Sequence, residues 1–171
     1  MKNGKLIALS AISTALGLIF LIIGAYFPVF DISCLFIASV AVMLPLSKDS
    51  VKGAFLTYGA TCLLTIPFVI GRFDVLILYA LFFGAHPIAN YFLIRKNKTF
   101  GALTFVKAIW FVGMLFFAYY LLSFFIIEIE VLNKVIPLAI IVFGVAFFII
   151  YDLVMIRFQK LTSVIVKKLK L

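Results

Sequence analysis

Leu-Ala-Ile-Ile-Val-Phe-Gly-Val-Ala-Phe-Phe-Ile-Ile, residues 138–150, contains no side chain that carries charge or forms a hydrogen bond. A strand of a membrane barrel alternates polar with apolar residues, and this run does not. A helix in hydrocarbon satisfies its backbone internally and needs no polar side chain. Similar runs fill the rest of the chain, and the spans read as Leu6–Phe27, Ile32–Leu46, Val51–Ile70, Val75–Leu93, Phe100–Ile127 and Val135–Met155. Of 171 residues, 67% are hydrophobic and 12% charged, and the mean hydropathy is +1.32. No water-soluble domain of this size could hide so much apolar surface. The expectation is an all-α membrane protein, six transmembrane helices in a single compact bundle. Residues 1–171 then form one integral membrane domain, with a basic interfacial tail at 156–171.

Charge sets the expected orientation. Lys2 and Lys5 precede the first span, and Lys48 and Lys52 follow the second. Arg95, Lys96 and Lys98 follow the fourth, and Arg157, Lys160, Lys167, Lys168 and Lys170 follow the sixth. The alternate loops hold Arg72 and Lys134 as bases and Asp31, Asp74, Glu128 and Glu130 as acids. Basic loops stay in the cytoplasm, so both termini are expected there. The first span is too long for the apolar region of a signal peptide, and Tyr26-Phe27-Pro28 makes a poor cleavage context. It reads as a membrane helix. The formal charge of +9 is accounted for by topology and by attraction to anionic inner-leaflet lipid, not by nucleic acid.

Breakers divide the chain into short loops: Pro28 with Asp31, Pro45 with Ser47 to Asp49, Gly71-Arg72 and Lys96 to Lys98. The second span, at 32–46, is short for a bilayer. After residue 155 the sequence FQKLTSVIVKKLKL puts apolar and basic residues at roughly helical spacing, as in an interfacial segment. Cys34 and Cys62 lack metal-ligand spacing and read as small packing residues. No metal site and no cofactor are expected.

Ala8, Ala11 and Ala15 share one face of the first helix. Small residues let a second helix approach closely, either a partner's or one of the same bundle. In the fourth span, FFGAHPIANYF sets His86 and Asn90 on one face and places Pro87 where a kink is expected. The pair serves either a substrate or proton site, or the contact between a kinked helix and its neighbours. Lys107 and Asp152 are ionisable residues within the fifth and sixth spans. Either charge alone in hydrocarbon is costly, so an ion pair is expected. With His86 and Asn90 they form an intramembrane polar cluster toward the inner face.

At the outer ends, Tyr119 and Tyr120 close the fifth span, near the loop residues Arg72, Asp74 and Glu128. Interfacial aromatics form belts in any membrane protein. Here these five residues are also the candidate lining of an outward pocket. Rings give apolar contact to a planar heterocycle, and the acids and Arg72 orient its polar edge. The acidic excess outside favours a neutral or cationic ligand.

Six short helices, both ends inside and the Ala11-Ile-Ser-Thr-Ala15 face resemble the substrate-binding S components of energy-coupling factor transporters, bacterial micronutrient importers. The resemblance covers the whole chain in topology and residues 11–15 in motif. It implies that the alanine face docks on a transmembrane coupling subunit, beneath which ATPase subunits work. It also implies a small-molecule ligand captured on the outer side of a bacterial cytoplasmic membrane. The chain carries no Walker motif, so ATP hydrolysis falls to partners. Without a zincin or nucleophile-elbow motif or paired carboxylates on one helix face, it is not expected to be an enzyme. The alternative is a non-transporting polytopic subunit of a cell-envelope complex.

Overall fold

The computed structural model describes residues 3–95, 100–123 and 130–168, and among them there is helix and no strand. Helix α1 spans Asn3–Tyr26, and a 3-10 turn at Pro28–Phe30 leads into α2, Asp31–Leu46. That turn lengthens the short second span, giving an apolar segment of 19 residues, Pro28–Leu46. Helix α3, Val51–Thr65, is capped by Ser50, whose hydroxyl accepts from the Gly53 N–H at 3.1 Å. A second 3-10 turn, Ile66–Phe68, ends it.

The fourth span is not one helix. It is α4 (Phe73–Leu78), a π turn (Tyr79–Phe83) and α5 (His86–Arg95). Pro87 explains one half of the break. Its ring excludes the carbonyl four residues back, that of Phe83, and the Ser39 hydroxyl donates to this carbonyl instead, at 2.5 Å. The π turn explains the other half. The Gly84 N–H donates to the Tyr79 carbonyl at 2.8 Å, five residues back, which releases the Ala80 carbonyl. Tyr58 of α3 donates its hydroxyl there at 2.6 Å. Backbone released at membrane depth is tolerated when protein groups take it up, as here. The expected kink therefore lies a turn before Pro87, which sits in the first turn of α5, where proline is tolerated.

Gly84 makes this junction possible. A Cβ there would lie 2.6 Å from the Tyr58 ring and 2.9 Å from that of Tyr79. We predict that Gly84→Ala lowers stability by about 1–3 kcal/mol through overpacking. Thermal unfolding in detergent checks it: an unchanged midpoint would mean that the rings move aside freely.

Helix α6 spans Phe100–Ser123 and α7 spans Glu130–Lys168. They run antiparallel: Leu115 meets Gly144, Phe111 meets Phe147 and Phe148, and Lys107 meets Asp152. Helix α7 does not break at Met155. Its 39 residues span about 58 Å at 1.5 Å per residue, well beyond a hydrocarbon core of about 30 Å. Its apolar membrane segment is Ile141–Val166.

The surface and interior are exchanged relative to a soluble protein. Phe143 is 74% exposed and Leu63 69%, whereas Lys107 is 5% and Asp152 1% exposed. Such a surface requires lipid around it. Among the described residues five segments are long and apolar enough to cross a membrane: Gly4–Tyr26, Pro28–Leu46, Val51–Phe68, Phe73–Leu93 and Ile141–Val166. In α6 the apolar stretch among the described residues is shorter, Thr104–Phe117.

Candidate functional site

Two ends of the bundle are defined by polar contacts. At one, Arg72 lies between the α1–α2 and α3–α4 connections. Its guanidinium donates to both carboxylate oxygens of Asp74, at 3.0 and 3.1 Å, to Asp31 at 3.4 Å and to the Ala25 carbonyl at 3.5 Å. The hydrogen bond it donates to Asp74 raises the already high pKa of this guanidinium. At the other end, Tyr91 of α5 donates to Asp49 in the α2–α3 turn, at 2.6 Å.

Between these ends, near Tyr91, lies the intramembrane polar cluster. Helix α5 brings His86 and Asn90 to one face, α6 brings Lys107, and α7 brings Asp152. All four are buried. Lys107 Nζ donates to the Asp152 carboxylate at 2.5 and 2.7 Å and to Asn90 Oδ1 at 2.8 Å. His86 Nε2 lies 3.1 Å from Asp152 Oδ1, and Asn90 Nδ2 lies 3.5 Å from the same oxygen. Thr104, one helical turn before Lys107, reaches the second carboxylate oxygen at 3.5 Å. One carboxylate thus ties three helices together. Its Coulomb partner and its hydrogen bonds are both in place, which is what a charge taken out of water requires.

Aromatic rings close the cluster on the side toward Arg72. Phe82, in the π turn, is their hub, with ring centroids 5.0 Å from His86, 4.7 Å from Phe111, 5.1 Å from Trp110 and 5.6 Å from Tyr151. Tyr151 in turn shares a hydrogen bond with Ser39 at 3.1 Å. His86 Nδ1 is buried with no protein partner. Thr104, Phe82 and Ser39 are absent from the sequence-based set. Thr104 was legible as one turn from Lys107; Ser39 was not, because its role depends on a carbonyl released by another helix.

The alanine face lies outside the bundle. Helix α1 packs on α2 and α3 through Ser10, Ser13, Thr14, Gly17, Leu21 and Gly24, which are buried at spacings of three and four. Ser10 donates to the Gly53 carbonyl at 3.3 Å, and Thr57 donates to the Ser10 carbonyl at 3.3 Å. A Cβ on Gly17 would lie 3.1 Å from Thr61. Ala8, Ala11 and Ala15 are left exposed. Ala11 and Ala15 line a groove of about 390 Å³ with Thr14 and Leu18 of α1 and Leu56 and Ala60 of α3. The sequence holds two small-residue patterns here, and Ser13-x-x-x-Gly17 is the one that faces inward.

Of the five candidate residues of the outer pocket, four lie within the described residues. Arg72 and Asp74 bind each other. Tyr119 and Tyr120 meet edge to face, with centroids 5.5 Å apart. Glu128 lies outside the described residues. A second groove, of about 320 Å³, runs between α2 and α7 past Phe36, Phe147 and Tyr151. Neither groove includes Arg72, Asp74, Tyr119 or Tyr120. Among the described residues no group of three His, Cys, Asp or Glu side chains is placed to hold a metal ion.

Fold and site together define a helical multi-pass membrane protein with a polar cluster inside it and a small-residue face outside. No family model, curated protein or solved structure matches the chain.

Proposed function

We propose that this chain is the substrate-binding subunit of a bacterial micronutrient or vitamin importer. Partner ATPases power it through a transmembrane coupling subunit that docks on α1. The observation that carries this reading is the free alanine face. Helix α1 satisfies its own bundle with one set of small residues and leaves Ala8, Ala11 and Ala15 exposed beside a groove. Small exposed residues allow the backbone of a partner helix to come close, and in lipid that packing is a main source of association. The polar cluster locks α5, α6 and α7 into one unit that moves as a body when the bundle reorients.

A second reading is a non-transporting subunit of a cell-envelope complex. It is favoured by one observation, the engagement of Arg72 and Asp74 with each other and with Asp31. Native mass spectrometry of the purified protein separates the two. A retained small molecule, together with a copurifying complex that contains ATPase subunits, supports the importer. Repeated absence of both sinks it.

The importer reading includes α6 as a sixth crossing, both termini in the cytoplasm and a place in the bacterial plasma membrane. A cysteine placed at Lys168 should resist an impermeant thiol reagent added to intact cells and react after lysis. Labelling from outside would reverse the topology.

A further inference from the structure

His86 is the only histidine of the chain, and it is 0% exposed. Its two ring nitrogens are in different positions. Nε2 lies 3.1 Å from Asp152 Oδ1, and an ionised carboxylate accepts hydrogen bonds but donates none. Nε2 therefore carries the hydrogen. Nδ1 is buried with no protein partner. Lys107 and Asp152 already form an ion pair, so a neutral imidazole leaves the cluster without net charge, the state that costs least in hydrocarbon. Nδ1 then holds an unshared lone pair.

The other side-chain acceptors of the cluster are in use. Asp152 Oδ1 faces donors from Lys107, His86 and Asn90, and Oδ2 faces donors from Lys107 and Thr104. Asn90 Oδ1 takes a hydrogen bond from Lys107. Nδ1 alone is left to accept, and space limits what it accepts. The His86 ring sits among those of Phe82, Tyr151 and Phe148, with centroids 5.0, 4.9 and 6.2 Å away. Neither groove described above includes His86. A ligand with volume, water included, needs a cavity. A proton needs none, and imidazole is the side chain whose charge changes nearest to neutral pH.

The counter-ion is in place as well. Among the described residues, the charged groups that act on His86 are Asp152 of α7, which favours a cation there, and Lys107 of α6, which opposes one. Tyr151 of α7 is the titratable ring beside it, with its hydroxyl shared with Ser39 of α2.

We propose that His86 Nδ1 is a binding site for one proton, with Asp152 as its counter-ion. The proton leaves hydronium and forms one N–H bond at Nδ1, and no other bond is made or broken. The site does not depend on the importer reading. Loading turns the contact between α5 and α7 from a hydrogen bond into a second ion pair. Asp152 then divides its charge between Lys107 of α6 and His86 of α5. Because His86 opens α5 just after the π turn, the new charge appears at the break in the fourth span.

The test uses the full chain, purified without a histidine tag, in lipid bilayers with nitrogen-15-labelled histidine. One residue gives the whole signal. Solid-state NMR at neutral pH should show a protonated Nε2 and a bare Nδ1. On acidification Nδ1 should gain a proton while circular dichroism shows the chain still folded, and raising the pH should reverse the change. An imidazole that stays neutral until the chain unfolds overturns the proposal. So does a neutral ring that carries its hydrogen on Nδ1. The double variant Lys107→Met with Asp152→Leu keeps His86 and removes both charges. Its imidazole should lose protonation throughout the folded range, and a titration unchanged from the parent would overturn Asp152 as the counter-ion. The parent titration decides the proposal by itself if that variant does not fold.

Discussion

Asp152→Asn is expected to cost about 3–5 kcal/mol of stability, the range for removing one partner of a buried ion pair. The carboxylate takes hydrogen bonds from Lys107, His86, Asn90 and Thr104. Without its charge, the Lys107 ammonium is held by the Asn90 carbonyl oxygen and has no counter-ion nearby. Lys107→Met should cost a similar amount for the converse reason, since it strands a carboxylate that is 1% exposed. The double variant Lys107→Met with Asp152→Leu removes both charges. It should lie closer to the parent than either single variant, because an apolar pair of similar volume carries no desolvation cost. Unfolding in bicelles across the four proteins measures this. Additive losses would show that the pair is not an energetic unit, whatever its geometry.

Ala11→Leu combined with Ala15→Leu should uncouple the chain from a membrane partner and leave its own fold intact. Both positions are exposed at an open groove beside α3, so the new side chains have room there without entering the packed seam of the bundle. At a docked interface they meet a helix at close range. Overpacking costs about 1–3 kcal/mol per site, and each 1.4 kcal/mol is roughly tenfold in affinity. Loss of partner copurification by two orders of magnitude is the expected result, with an unchanged unfolding midpoint as the control. Retention of the partner would remove the alanine face from the interface. A lowered midpoint would instead show that the face packs within the bundle.

Several features were legible in the residues alone. Runs such as residues 138–150 permit a helix in hydrocarbon and little else, because no polar side chain is present to alternate. Lys107 and Asp152 demanded partners, since a lone charge in lipid is expensive. Pro87 announced an interruption, because proline takes a donor from any helix and crowds a carbonyl.

The residues could not indicate how each helix is rotated about its axis. A water-soluble helix reports its buried face through the contrast between apolar and polar sides. Here both the lipid and most of the bundle interior are apolar, so that contrast is weak. Helix α1 shows the consequence. Ala11/Ala15 and Ser13/Gly17 are equally good close-packing patterns, and only the packed bundle shows that the second faces inward. The same holds for the outer residues, where Arg72 and Asp74 are placed against each other by the two loop connections.

What the sequence determined by itself is the solvent: apolar composition commits this chain to helices in a bilayer and makes every buried charge seek a partner. What only the tertiary structure decided is the identity of those partners. His86, Asn90 and Thr104 join Lys107 and Asp152 because three helices converge. Ser39 takes up a carbonyl that Pro87 frees, and Tyr58 one that the π turn frees by shifting a hydrogen bond by a single residue. The physical reason is that hydrophobicity acts without direction, so it selects the environment of a helix. Hydrogen bonds and close contacts depend on distances of a few ångströms between segments remote in the chain, and those exist only once the helices have packed.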